Sequence, residues 1–128
     1  MSFKLSKRSL KNLTGVHPDL VRVVKQAIIL TPIDFAVTEG LRTVERQKIL
    51  VEAGASMTMN SQHLVGRAVD LAVFVDGEIR WDWPLYHKLA KTMKAAANYC
   101  MVSIICGADW QKFPDGPHFE LARAPNNG

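Results

Sequence analysis

Two histidines and two aspartates are the residues of this 128-residue chain whose types and spacing could do chemistry. His63 and Asp70 fall in one run, SQHLVGRAVDLAVF, with Gly66 between them, and His118 closes a second run, PDGPH, three residues after Asp115. Imidazole nitrogen and carboxylate oxygen form a donor mixture that zinc accepts at about 2.0–2.2 Å. Three protein ligands, His63, Asp70 and His118, would leave a fourth position open, which is the composition of a catalytic rather than a structural zinc site. Asp115 stands close enough to His118 to act as a base toward a water at that position, yet too near the turn to be a ligand as well. Taken alone, Pro-Asp-Gly reads as an Asx turn. The company of the other three residues favours the base.

Something must bring these groups together. If residues 68–75 form a strand, Ala68, Asp70, Ala72 and Phe74 share one face, while Val69, Leu71, Val73 and Val75 share the other and face the core. The two alanines are expected to leave open space beside Asp70, where a carboxylate is either solvated or tied to a cation. Gly66 lets the backbone fold so that His63 converges on Asp70, and His118 joins them if the last strand lies beside residues 68–74. Arg42 follows the strand DFAVTEG at the start of a helix, where an arginine gains nothing from the helix dipole. It is either a solvated surface residue or a cation aimed at an oxyanion or a substrate carboxylate. His17, before a proline, and His87, on an amphipathic helix, are assigned no role. Trp110 and Phe113 either wall a cleft or pack in the core.

The elements read as follows. The basic opening forms a short helix ending near Gly15, and Pro18 opens a stronger one, PDLVRVVKQAIIL, in which Leu20, Val24, Ala27 and Ile28 recur at helical spacing before Thr31-Pro32 ends it. DFAVTEG is a strand, Thr43 caps a helix through VERQKILVEA, and residues 55–62 are a loop. AVDLAVFV and EIRW flank Asp76-Gly77 as a hairpin. Asp82 caps a helix whose apolar face is Leu85, Leu89, Met93 and Ala96 or Ala97. A buried strand MVSIIC, the loop GADWQKFPDGP and a short strand HFEL follow. This order predicts one α+β domain spanning 1–128, with helices packed on an antiparallel sheet that carries the site, and a frayed tail at 124–128.

Composition narrows the partners. With 48% apolar and 22% charged residues the chain can bury a core, and its formal charge of +4 suits an anionic partner such as nucleic acid, a membrane surface or a cell-wall polymer. The basic residues are scattered without a recognition helix or stacking motif, which argues against nucleic acid. No run approaches the roughly 20 apolar residues of a membrane span, and the start lacks the apolar stretch of a secretion signal. Synthesis in the cytoplasm without stable membrane insertion is therefore expected, with Cys100 and Cys106 reduced and in the core.

The motif S-x-H-x-x-G-x-A-x-D, here Ser61, His63, Gly66, Ala68 and Asp70, followed by D-x-x-H, here Asp115 and His118, resembles the zinc peptidases that cleave bacterial cell-wall peptides. That family includes D-Ala-D-Ala carboxypeptidases and dipeptidases, and phage endolysins that act as L-alanyl-D-glutamate endopeptidases. The resemblance to the endolysins spans most of the chain, from MSFK through EGLRT and SQHLVGRAVD to GADW and PHFEL. It implies a small α+β fold with His63, Asp70 and His118 on zinc, Asp115 as base, Arg42 stabilising the tetrahedral intermediate, and Ser61 supporting the ligands or binding substrate. Aspartate at 115, where the D,D-dipeptidase branch has glutamate, points to the endolysin branch. The resemblance further implies a monomeric peptidoglycan hydrolase held in the host cytoplasm until a separate permeabilising protein releases it, in a Gram-negative host. A D,D-carboxypeptidase and a non-catalytic, zinc-stabilised wall-binding module are the alternatives.

Overall fold

The computed structural model describes residues 2–56 and 58–123, and the tail expected at 124–128 lies outside them. In chain order come α1 (Lys7–Asn12), α2 (Pro18–Leu30), β1 (Asp34–Glu39), α3 (Val44–Glu52), a 3-10 turn (Gln62–Val65) and β2 (Ala68–Val75). They are followed by β3 (Glu78–Arg80), α4 (Trp83–Cys100), β4 (Ile104–Cys106), a second 3-10 turn (Gly107–Asp109) and β5 (His118–Leu121). The architecture is the expected α+β. Helix starts are set by side-chain oxygens and nitrogens: Thr43 Oγ1 accepts the Arg46 N–H at 3.0 Å to begin α3, and Pro18 occupies the first turn of α2. His17, assigned no role from sequence, caps α2 by accepting the Asp19 N–H on Nδ1 at 3.1 Å.

All strand pairs are antiparallel, in the order β1-β2-β5-β4, with β3 also on β2. The hairpin at Asp76-Gly77 forms with both residues at positive φ, 53° and 81°, as that dipeptide permits. Helices α2 and α4 pack on each other, and their apolar stripes (Leu20, Val23, Val24, Ala27; Leu89, Met93, Ala96) close with Val69, Leu71, Val73 and Phe119 into the core. Burying each such Val or Leu is worth about 1.5–3 kcal/mol. The core face of β2 is thus the one the alternation predicts.

Three expectations need correction. MVSIIC contributes only Ile104–Cys106 to the sheet, because the alanine-rich run KAAANYC carries α4 on to Cys100 and Met101, at φ 59° and 93% exposed, turns the chain out of the helix. For the same reason Cys100, at the helix end, is only half-buried, while Cys106 is in the core; both are free thiols. Finally, Ala68 and Ala72 are themselves inaccessible, at 0% and 1% exposure, so they do not open onto a cavity. A methyl lies low between the longer side chains of neighbouring strands, as Ala68 does opposite Glu120.

One edge of β2 is shared, with β5 pairing at residues 68–70 and β3 at 73–75. The backbone between them is completed from elsewhere. The Leu71 N–H donates to the Pro117 carbonyl at 2.9 Å, and the Val73 N–H donates at 3.1 Å to the hydroxyl of buried Tyr86, which itself donates to the Arg80 carbonyl at 2.8 Å. Tyr86→Phe strands both backbone groups without changing ring volume. We expect it to lower unfolding stability by about 1–3 kcal/mol, read as a reduced urea midpoint at unchanged m-value.

Candidate metal centre and active site

β2 is the central strand of the site. In its register Asp70 opposes His118 on β5 and Glu39 on β1, and opposed residues of antiparallel strands share a face. The pairing with His118 needs no irregularity, but that with Glu39 comes from a bulge between Val37 and Glu39 that brings Glu39, rather than Thr38, opposite the aspartate. His63 arrives from the 3-10 turn. The Ser61 hydroxyl accepts the His63 N–H at 3.2 Å at the start of that turn, and Gly66 ends it at φ 71°, where an added Cβ would lie 2.5 Å from the Gly15 carbonyl oxygen. Only glycine meets both demands.

The two imidazoles are held by opposite nitrogens. His63, 1% exposed, donates Nδ1–H to the Gly40 carbonyl at 2.8 Å, which leaves Nε2 facing Asp70 Oδ1 at 3.3 Å. His118 donates Nε2–H to Glu120 Oε1 at 2.8 Å, which leaves Nδ1 facing the same Asp70 oxygen at 3.5 Å. A carbonyl and a carboxylate behind the rings thus fix which nitrogen each presents, the usual arrangement behind metal-binding histidines.

One ligand atom from each of His63, Asp70 and His118 lies within 4.8 Å of the others. A tetrahedral ion with bonds of about 2.05 Å separates its ligands by about 3.3 Å, which matches the 3.3 and 3.5 Å between Asp70 and the two rings. The donor types, and the two separations from Asp70, fit zinc. Charge is arranged accordingly: burial works against the Asp70 carboxylate, but hydrogen bonds from His118 and His63 outweigh it and hold it well below the usual carboxylate range. Burial likewise works against the His118 cation, and the Asp70 and Glu120 carboxylates overcome it, raising that imidazole to about 9.

Arg42 is neither solvated nor loose. At 8% exposure it grips Glu39 through Nε and Nη2, both at 2.8 Å, reaches Asp70 Oδ2 at 3.4 Å, and donates Nη1–H to Gln47 Oε1 at 2.7 Å. Burial pushes the Glu39 carboxyl up, but its bonds to Arg42 bring it below its ordinary value. Gln47, wholly buried on α3, is in turn anchored by donating Nε2–H to Ser56 Oγ at 2.8 Å and to the Thr58 carbonyl. Four of the five guanidinium N–H groups are committed, and one Nη1–H has no partner among the described residues.

Glu39, Arg42, His63, Asp70 and His118 line a cleft of about 810 Å³, shared with Ser61, Trp110, Lys112, Phe113 and Asp115. Asp115 is presented by close backbone contact: its N–H donates to the Gly107 carbonyl at 2.9 Å, and a Cβ at Gly107 would come within 2.3 Å of the Asp115 carbonyl oxygen. Its own carbonyl accepts the His118 N–H at 3.2 Å, so the turn is closed by backbone. The carboxylate makes no hydrogen bond among the described residues, so the Asx turn is not what forms. Desolvation, and then the nearby Asp70 charge, raise the Asp115 carboxyl above its ordinary value. Trp110 tilts against His118 at 4.9 Å between centroids, and Phe113 is 68% exposed at φ 53°, a conformation a bulky residue rarely adopts. Both belong to the cleft wall rather than the core.

The sequence reading singled out six residues and the fold brings all six to this cleft. It passed over Glu39, Gln47, Glu120 and Gly107. Glu120 had a signal, since period-2 alternation in HFEL puts it on the face of His118; Glu39 had none, because a bulge aims it, and Gln47 looks like one more polar residue on an exposed helix.

Residues 1–122 match the family model for phage L-alanyl-D-glutamate peptidase. The L-alanyl-D-glutamate peptidase of Escherichia phage T5 is 33% identical over the whole chain and 96% of its own length. In structure, the Serratia marcescens L-Ala D-Glu endopeptidase ChiX superposes with a TM-score of 0.87 at 42% identity, covering 95% of this chain and 90% of that one. The vancomycin-resistance D,D-dipeptidase VanXYg shares the fold, with a TM-score of 0.55 at 18% identity over 83% of this chain and 50% of its own.

The His118 shift sets a pH dependence. The imidazole holds its proton to about 9 when folded against an ordinary 6.5, so its stabilisation is complete below pH 6.5 and lost as pH rises through 9. Thermal melts in a chelator should fall in midpoint across that window, and His118→Gln should flatten the fall. One equivalent of zinc should reverse the slope, because the metal must displace the proton; a midpoint independent of pH in both conditions would contradict the assignment.

Proposed function

This chain belongs to the phage L-alanyl-D-glutamate peptidase family, and on that footing we propose that it is a zinc-dependent endolysin hydrolysing the L-Ala–D-Glu amide in the stem peptide of peptidoglycan. The observation that carries the reading is the convergence of His63, Asp70 and His118, with ligand atoms within 4.8 Å of one another, on the wall of a cleft that also holds the Asp115 carboxylate, which has no hydrogen bond among the described residues. Zinc held by the three would lower the pKa of a water toward about 7 and polarise the scissile carbonyl.

The chain's own groups do the rest. Asp115, with its carboxyl raised toward the working range, takes the proton from the attacking water on a carboxylate oxygen and returns it to the D-Glu nitrogen as the C–N bond breaks. Arg42 offers its remaining Nη1–H to the oxygen that becomes anionic, from a guanidinium already immobilised by Glu39 and Gln47. Ser61 keeps the His63 turn in shape while its hydroxyl faces the substrate cleft. Trp110 and Phe113 wall the peptide away from water.

The charge of +4 draws the enzyme to anionic murein where salt leaves it unscreened. Among the described residues no helix is long and apolar enough to cross a membrane. As with the endolysins its motifs resemble, the enzyme on this proposal waits in the host cytoplasm as a monomer until a separate permeabilising protein lets it reach the wall.

Digestion of purified murein followed by mass spectrometry should reveal new L-Ala carboxyl ends and D-Glu amino ends, abolished by a chelator. Free D-alanine as the sole product would instead make it a D,D-carboxypeptidase. Asp115→Ala should lower kcat by about 10²–10⁴-fold with zinc still bound, and full activity in that variant would remove Asp115 from the mechanism.

A further inference from the structure

A second, smaller concavity of about 320 Å³ lies where the catalytic cleft ends, and Arg123 lines both. Arg22 and Arg67 line it as well, against the single carboxylate of Asp19. That carboxylate is already taken: Arg22 Nη2 donates to Asp19 Oδ1 at 3.0 Å. Arg67 donates Nη2–H to the Ala122 carbonyl at 3.2 Å, which holds its guanidinium at the C-terminal end of β5. Among the described residues neither Arg67 nor Arg123 has a carboxylate partner. Two forks suited to bidentate carboxylate binding are thus gathered in one hollow without an internal acid to match.

Resting on the functional reading above, we propose that Arg67 and Arg123, flanked by Arg22, form a carboxylate-binding subsite for the distal acid groups of the stem peptide. Reach supports the pairing. From His118 to Arg123 the chain advances five residues, at most about 16 Å. Beyond the scissile nitrogen, the free α-carboxylate of a γ-linked D-glutamate stays within about 4 Å, whereas the diamino acid after it carries its free carboxylate about 10–15 Å away. A peptide that leaves the metal-binding cluster and rounds the end of β5 at Arg123, which lines both hollows, brings the diamino acid's carboxylate to the second one. Each long substrate then gains an anchor remote from the bond being broken.

The test uses zinc-loaded enzyme and three soluble substrates: L-Ala-γ-D-Glu-meso-diaminopimelate-D-Ala, the same tetrapeptide with its distal carboxylates amidated, and L-Ala-D-Glu γ-amide. Wild type should show the lowest KM for the acidic tetrapeptide, with the advantage shrinking as salt rises. Arg67→Ala and Arg123→Ala should each erode that preference by roughly three- to tenfold in KM, and Arg67→Lys should restore part of it. A purely structural role for Arg67 would instead move KM for all three substrates together. Equal KM values for the acidic and amidated tetrapeptides in wild type would overturn the subsite while leaving the functional reading intact. Failure to cleave any of the three at the L-Ala–D-Glu bond would overturn both.

Discussion

Asp70 carries its carboxylate on the central strand, at the one register where β1 pairs on one side and β5 on the other. That placement is costly unless hydrogen-bond donors or cations surround the group, because a carboxylate leaving water loses several kcal/mol of hydration. The fold answers with His63, His118 and Arg42, all within 3.5 Å of its oxygens. Removing the aspartate would therefore do more than delete one candidate ligand. It would leave three buried nitrogen-bearing side chains facing each other without the carboxylate they share.

Each of those partners is itself held from behind. Gly40 and Glu120 fix the two imidazoles, and Glu39 and Gln47 fix the guanidinium. Gln47 extends the support to Ser56 and Thr58, so the loop forming one wall of the cleft is tied to the arginine on its floor. No buried side-chain polar atom among the described residues lacks a hydrogen bond. A network satisfied in this way keeps its groups in one geometry, so they need not reorganise during a reaction. Asp115 stands apart from it. Its carboxylate has no hydrogen bond among the described residues while its backbone is pinned by Gly107, an arrangement that suits the proposed proton exchange.

Much of this was readable along the chain because the signals are local. Helical spacing located α2 and α4, period-2 alternation separated the core face of β2 from the face of Asp70, and Asp76-Gly77 announced the hairpin. The motif around His63, Gly66 and Asp70 is also local: a turn capped by Ser61 and ended by glycine feeds directly into a strand. The errors came where local preference competes with length. Apolar β-branched residues after Met101 suggested a longer strand, but an alanine-rich helix kept going until a left-handed residue stopped it.

What the sequence by itself determined is the set of ligand types, the elements bearing them and the face on which Asp70 lies, since all of these follow from residue chemistry and short-range periodicity. Tertiary structure decided the rest. Whether PDGPH folds back onto β2 depends on β5 pairing at Asp70↔His118, a contact across 48 residues of chain that no local preference encodes. The conversion of Arg42 from a surface residue into a buried clamp required a bulge in β1 to swing Glu39 round and a helix to bury Gln47 beneath it. Register, bulge and burial are properties of elements packed together, and they gathered the readable residues into a cleft with a back wall, an oriented guanidinium and a carboxylate held by its backbone.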